Sequence, residues 1–112
     1  MTSPQARKGR RAELAVAAYL SEYWPDAEPT RRSGWTDDRG DIDGIPFVVV
    51  EVKDHREHRL SAWLAEMELE VEQARATTGV LVVKRRGHVN AADWFAVTRL
   101  SDWAQMAKDA GL

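Results

Sequence analysis

The 112 residues contain no cysteine. Disulfides, thiolate nucleophiles and thiolate zinc sites are thereby excluded together, and any metal must be held by oxygen or imidazole. Long apolar runs are missing as well. The longest stretch is about one strand long, far short of the roughly 20 residues that cross a bilayer. No signal-peptide pattern opens the chain, so a cytoplasmic protein with no membrane partner is expected. Low-complexity tracts and internal repeats are absent. Neither sign of charge dominates: 16 Lys and Arg stand against 18 Asp and Glu, a net charge of -2. Bulk charge therefore does not mark a nucleic-acid binder.

What is present is an ordinary globular composition, 44% apolar and 30% charged, in a length that makes one domain over residues 1–112 with no room for a second core. The charges are segregated along the chain. Basic residues cluster at Arg7, Lys8, Arg10 and Arg11, again at Arg31 and Arg32, and again at Lys84, Arg85 and Arg86. Glu66, Glu68, Glu70 and Glu72 gather elsewhere, in one predicted helix. A locally basic face can coexist with a mildly acidic whole, and such clusters mark a DNA face only if a catalytic site lies between them.

Ser3-Pro4 makes a helix start, and a helical pattern runs to about Tyr23, where Trp24-Pro25-Asp26 ends it. Val16, Ala17, Leu20 and Trp24 share one side of this helix, with Glu13 one turn back along the stripe. A short strand is expected near 28–32, then a turn-rich loop over 33–40. Residues 41–53 read as a hairpin. Leu60, Trp63, Leu64, Met67, Val71 and Ala74 follow helical spacing to about Ala76, which puts Gln73 on the other side with Ala62, Leu69 and Glu66. Val80–Val83 and Trp94–Thr98 read as strands, and a last helix starts near Ser101. This order predicts an α/β (α+β) domain, a mixed central sheet flanked by helices. Trp24, Trp63, Trp94 and Trp103 fit core positions.

The informative segment is Phe47-Val-Val-Val-Glu51-Val-Lys53. Side chains alternate on a strand, so Glu51 and Lys53 share a face with Phe47 and Val49, beside the core. Asp41 lies ten residues upstream of Glu51. Two hairpin turns compete: one at Asp43-Gly44 separates Asp41 from Glu51 by roughly 17 Å, whereas a wider turn centred on Pro46 sets them opposite one another, roughly 5 Å apart. Only the second register permits a shared metal. Asp41, Glu51 and the Val52 backbone carbonyl would then form an oxygen shell suited to Mg2+, with Mn2+ as a substitute. Lys53 is placed to orient water or to stabilise developing negative charge. Glu13 offers a further carboxylate, directly or through a bound water. His55-x-x-His58 lacks a second pair and does not make a zinc site.

The spacing of Asp41, Glu51 and Lys53 resembles the PD-(D/E)xK nuclease superfamily. The flanks, Lys8-Gly9-Arg10-Arg11-Ala12-Glu13 and Arg32-Ser33-Gly34, resemble those of archaeal-type Holliday junction resolvases. The stretch from Arg32 to Lys53 is also similar to resolvase-like proteins of actinobacterial phages. Together these cover residues 7 to 98. The resemblance implies a restriction-endonuclease-like core, a homodimer that engages four-way DNA junctions in recombination or repair, and metal-dependent cleavage in a bacterial or phage-infected cell. Gly40 stands where the family has proline, and Asp43 competes with Asp41 as the first acid. Gln73 lies where some members carry a helical glutamine. Lys8, Arg10, Arg11, Arg32, Ser33, Trp35, Lys84, Arg85 and Arg86 are the candidate DNA contacts, Trp35 by stacking. Two alternatives stay open: a related phage, repair or restriction-like nuclease acting on duplex or flap DNA, and a non-catalytic DNA-binding subunit of the same fold.

Overall fold

The computed structural model describes residues 3–31 and 40–112. Arg32, Ser33, Trp35 and most of the expected loop lie outside those residues. Ser3 caps the first helix, α1 (Pro4–Leu20), its Oγ accepting from the Ala6 N–H at 3.1 Å. Pro4 sits in the first turn, where an N–H has no helical acceptor in any case. The helix stops earlier than its pattern suggests because the N–H groups of Tyr23 and Trp24 both turn back to the Leu20 carbonyl.

Two short strands follow, β1 (Glu28–Pro29) and β2 (Ile42–Asp43), then β3 (Val48–Lys53), α2 (Leu60–Ala74) and β4 (Thr78–Val83). A 3-10 turn (Ala91–Asp93) leads into β5 (Phe95–Val97) and α3 (Leu100–Asp109). The fold is α+β with mixed strand directions. β3 runs parallel to β4, with Glu51 opposite Leu81, while β5 runs antiparallel to β4, giving the order β3-β4-β5. A parallel pair needs a long crossover, which α2 supplies.

The expected hairpin over 41–53 is not formed as a ladder. β2 pairs with β1 instead, Ile42 opposite Pro29 and Asp43 opposite Glu28. Gly44, at φ 90°, presses against the backbone of Asp26 and Ala27, and a Cβ there would overlap the Asp26 carbonyl. Asp43-Gly44 thus serves this close approach rather than a two-residue hairpin. The chain reverses through Pro46-Phe47, closed by the Val48 N–H on the Ile45 carbonyl at 3.3 Å. Phe47 takes φ 65° in that turn and is 73% exposed, so it does not face the core as its strand alternation suggested. The Asp41 N–H donates to the Val50 carbonyl at 2.8 Å, which draws Asp41 against β3.

Alternation along the sheet divides the core. Val50 and Val52 join Ala12, Val16 and Ala17 of α1, with Val80 and Val82 beside them, whereas Leu81 and Val83 pack with Trp63 of α2. The two helices therefore cover opposite faces. Gly79 lets α2 come close, since a Cβ there would meet the side chains of Met67 and Val71. Trp63 is buried and Trp94 half-buried, as their positions suggest. Trp24 and Trp103 are not core: they are 41% and 58% exposed. Trp24 falls beyond the helix end against Tyr23, and α3 buries none of its residues. Leu60, at the first residue of α2, is also exposed. Among the described residues no helix is long and apolar enough to cross a membrane.

Candidate active site

Three carboxyl groups are nearly sealed from solvent: Asp41 at 3%, Glu51 at 4% and Glu70 at 2% exposure. Charged groups are almost never buried so completely without partners or a ligand, so their placement identifies the site. Each comes from a different element. Asp41 precedes β2, Glu51 lies in the middle of β3, and Glu70 sits on the α2 face that covers the sheet.

Asp41 is held from both ends. Its N–H reaches Val50, its carbonyl accepts from the Thr30 N–H at 2.9 Å, and its Oδ2 accepts from the Val52 N–H at 2.7 Å. β3 is the edge of the three-stranded sheet, so Val52 has a backbone donor to spare for this carboxylate. Asp43, its sequence competitor, is exposed and bonds Thr30 Oγ1 at 3.0 Å. Asp43 belongs to the pairing with β1, opposite Glu28, whereas Asp41 is drawn against β3.

Glu51 is strongly perturbed. Burial pushes its carboxyl up to about 12, helped by the neighbouring carboxyls of Glu70 and Asp41. Its Oε2 is buried with no hydrogen-bond donor. A proton or a cation is what that oxygen demands. Lys53 Nζ lies 4.0 Å from Glu51 Oε1 and is held by Glu66, at 3.1 Å from Oε1 and 3.3 Å from Oε2. Burial lowers the Lys53 basicity, but Glu51 and Glu66 outweigh it and the net shift is upward. Lys53 is therefore an ammonium at neutral pH.

A cavity of about 360 Å³ joins these groups: Glu13 and Lys8 of α1, Asp41, Glu51, Val52 and Lys53 of the sheet edge, and Glu66 of α2 line it. The structure thus brings together all four acid and lysine candidates, Glu13, Asp41, Glu51 and Lys53, and puts Val52 at the wall. Oxygens of Glu51, Glu66 and Glu70 also come within 4.8 Å of one another.

The α2 acids do not lie apart from the site as their sequence cluster suggested. Glu66 faces Lys53, and Gln73, two turns further along the same side of α2, is exposed. Glu66 and Glu70 are one helical turn apart, and with Trp63 and Met67 they complete a single i, i+3, i+4, i+7 stripe. That stripe was the available signal. Two charged residues in register with a buried tryptophan and methionine indicate a polar inner face.

A second cavity of about 350 Å³ adjoins the first, sharing Lys8, Asp54, His55 and Arg56, and is completed by His58, Lys84 and Arg86. Asp54 stands between Lys8 and Lys84, 3.6 Å from each. Arg85 instead lies over the Phe95 ring, and Arg10 and Arg11 are exposed on α1. His55 and His58 lie tilted against Trp63, with ring centroids 5.1 and 6.0 Å away. Arg56 and Asp54 were missed in the sequence because they follow the strand in an irregular segment with no periodicity to place them. Comparison with protein-family models, with curated proteins and with solved structures found no match for this chain.

Proposed function

We propose that this chain is a metal-dependent DNA endonuclease of PD-(D/E)xK type with a restriction-endonuclease-like core, acting on branched DNA as a Holliday junction resolvase. The observation that carries the reading is the convergence of buried Asp41 and Glu51, from separate segments, on one cavity with Lys53 beside them. This arrangement was required by the motif and depended on a turn at Pro46 rather than at Asp43-Gly44.

The donor set suits Mg2+ or Mn2+. It consists of oxygens, it is rich in negative charge, and it includes a buried Glu51 oxygen with no donor. Such an ion, when bound, neutralises charge on a scissile phosphate and makes a water more acidic. Asp41 and Glu51 are its holders, with Glu13 approaching from α1 and Val52 at the wall supplying a backbone oxygen. The Val52 N–H fixes the Asp41 carboxylate so that it stays aimed at the cavity. Lys53, positioned by Glu66, presents its ammonium where it can orient the attacking water and offset charge gathering on the phosphate. The flanking cations fix the strand by its phosphates, and pairing of two copies sets two such sites against opposed strands of a junction.

Cleavage of a synthetic four-way junction, a flap and a linear duplex with Mg2+ tests this reading, with wild type and Glu51→Gln side by side. Junction cutting is expected to be strongest, and the variant is expected to bind without cutting. Equal cutting of all three substrates removes the resolvase assignment. An active Glu51→Gln removes the mechanism.

A further inference from the structure

We infer that the cavity formed by Arg56, Arg86, Lys8 and Lys84 seats a second phosphate of the nucleic-acid strand, next to the one served by the acidic cavity. The inference rests on the nuclease reading only for what lies in the acidic cavity. The basic one stands on its own geometry. Four cations line it and a single acid, Asp54, faces them. Asp54 is spent: its side chain is 10% exposed and its two oxygens go separately to Lys8 and Lys84, from α1 and from the end of β4. Those ion pairs tie the two lysines together across elements and leave Arg56 and Arg86 with no ion pair to an acid among the described residues. A concave site with a surplus of positive charge, two guanidinium groups and preset lysines has the chemistry of phosphate recognition.

Its position selects the source of that phosphate. The two cavities are contiguous through Lys8, Asp54, His55 and Arg56, so one ligand can occupy both. A free inorganic anion fills one cavity and gains nothing from the other. A polynucleotide carries phosphates at regular intervals along each strand and gains from both. Arg56 and Arg86 are then specificity-neutral anchors that set the register of the strand, in which the step from one phosphate to the next crosses Asp54.

The test is binding without cleavage: anisotropy of a fluorescent oligonucleotide duplex in EDTA over a salt series, for wild type, Arg56→Gln, Arg86→Gln and the double variant, with Lys108→Gln on α3 as control. Thermal melting confirms that each variant is folded. Removing one phosphate contact should lower the salt slope by about one and weaken binding several-fold, the double variant should lose more, and the control should match wild type. A double variant with the wild-type slope overturns the inference, as does a folded wild type that fails to bind. Competition by orthophosphate separates the sources. Weak competition supports a polynucleotide, and displacement as effective as that by unlabelled oligonucleotide overturns it. Because metal is absent, a protein that binds in this way but never cuts keeps this inference and loses the nuclease reading. One that cuts while the double variant keeps its slope does the reverse.

Discussion

The Val52 N–H donates to Asp41 Oδ2 at 2.7 Å, eleven residues apart in the chain and fully inside the protein. This bond links the segment before β2 to the sheet edge and sets the distance between the first acid and Glu51. Asp41 is thus both a candidate ligand and a structural acceptor. Substitution separates the two roles. Asp41→Ala strands a buried donor and should cost about 1–3 kcal/mol. Asp41→Asn keeps an acceptor oxygen and relieves the charge pressing on Glu51, so its urea midpoint should stay near that of wild type. Mn2+ is expected to raise the melting temperature of wild type by binding only the folded state, and both variants should lose that shift.

Glu51 makes stability depend on pH in a definite direction. Its folded carboxyl is pushed up to about 12, above its unfolded value, by burial and then by Glu70 and Asp41. The folded state therefore holds more protons than the unfolded one above the ordinary carboxylate range, and stability falls as pH rises. Metal-free Glu51→Gln should melt higher than wild type at neutral pH, by an amount on the order of 1–3 kcal/mol, the usual cost of a buried polar group without partners. The gap should widen from pH 5 to pH 9 and close when Mn2+ stabilises wild type alone. Melting curves at three pH values decide it.

Lys53 and Glu66 form a pair that is partly open to water, with 16% and 47% side-chain exposure. Such a pair contributes little to stability. Lys53→Met should therefore leave the melting temperature within a few degrees of wild type while removing junction cleavage. Glu66→Gln keeps a hydrogen-bond acceptor for the ammonium and should retain most activity, whereas Glu66→Ala frees the lysine and should lose about tenfold or more. Equal rates for Glu66→Ala and wild type would show that Lys53 needs no holder.

Gly79 tests the packing that carries Glu70 and Glu66 to the site. A methyl group there meets the side chains of Met67 and Val71, the latter at 2.7 Å. Gly79→Ala should destabilise by about 1–3 kcal/mol through overpacking. Because α2 must then shift, cleavage should fall as well. Gly87→Ala, where a Cβ has open space but φ is 82°, gives a comparison in which only backbone strain acts.

Much of the architecture was legible along the chain because it depends on local repeats. The period of α1 and α2, the apolar runs of β3 and β4, and the Ser3-Pro4 start each reflect short-range physics that neighbouring residues determine. So did the charged end of β3: a carboxylate and an ammonium two positions apart on a buried strand signal chemistry whatever they face. The acid-acid-lysine spacing also offered Asp41 from the linear order, with Asp43 as its competitor.

Tertiary structure decided the rest. Which turn reverses the chain before β3 depended on Gly44 meeting the Asp26 backbone, a contact no local pattern contains. Whether Asp41 or Asp43 enters the cavity followed from which strand each segment joins. The places of Glu66 and Glu70 followed from the side on which α2 crosses the sheet, and the exposure of Trp24 and Trp103 from what does not cover them. Sequence by itself determined the helices, the two longer strands and the reactive residue types, since these follow from neighbours a few positions apart. Only the fold decided which carboxyls share one desolvated cavity, because desolvation and charge coupling arise between groups that are distant in the chain and close in space.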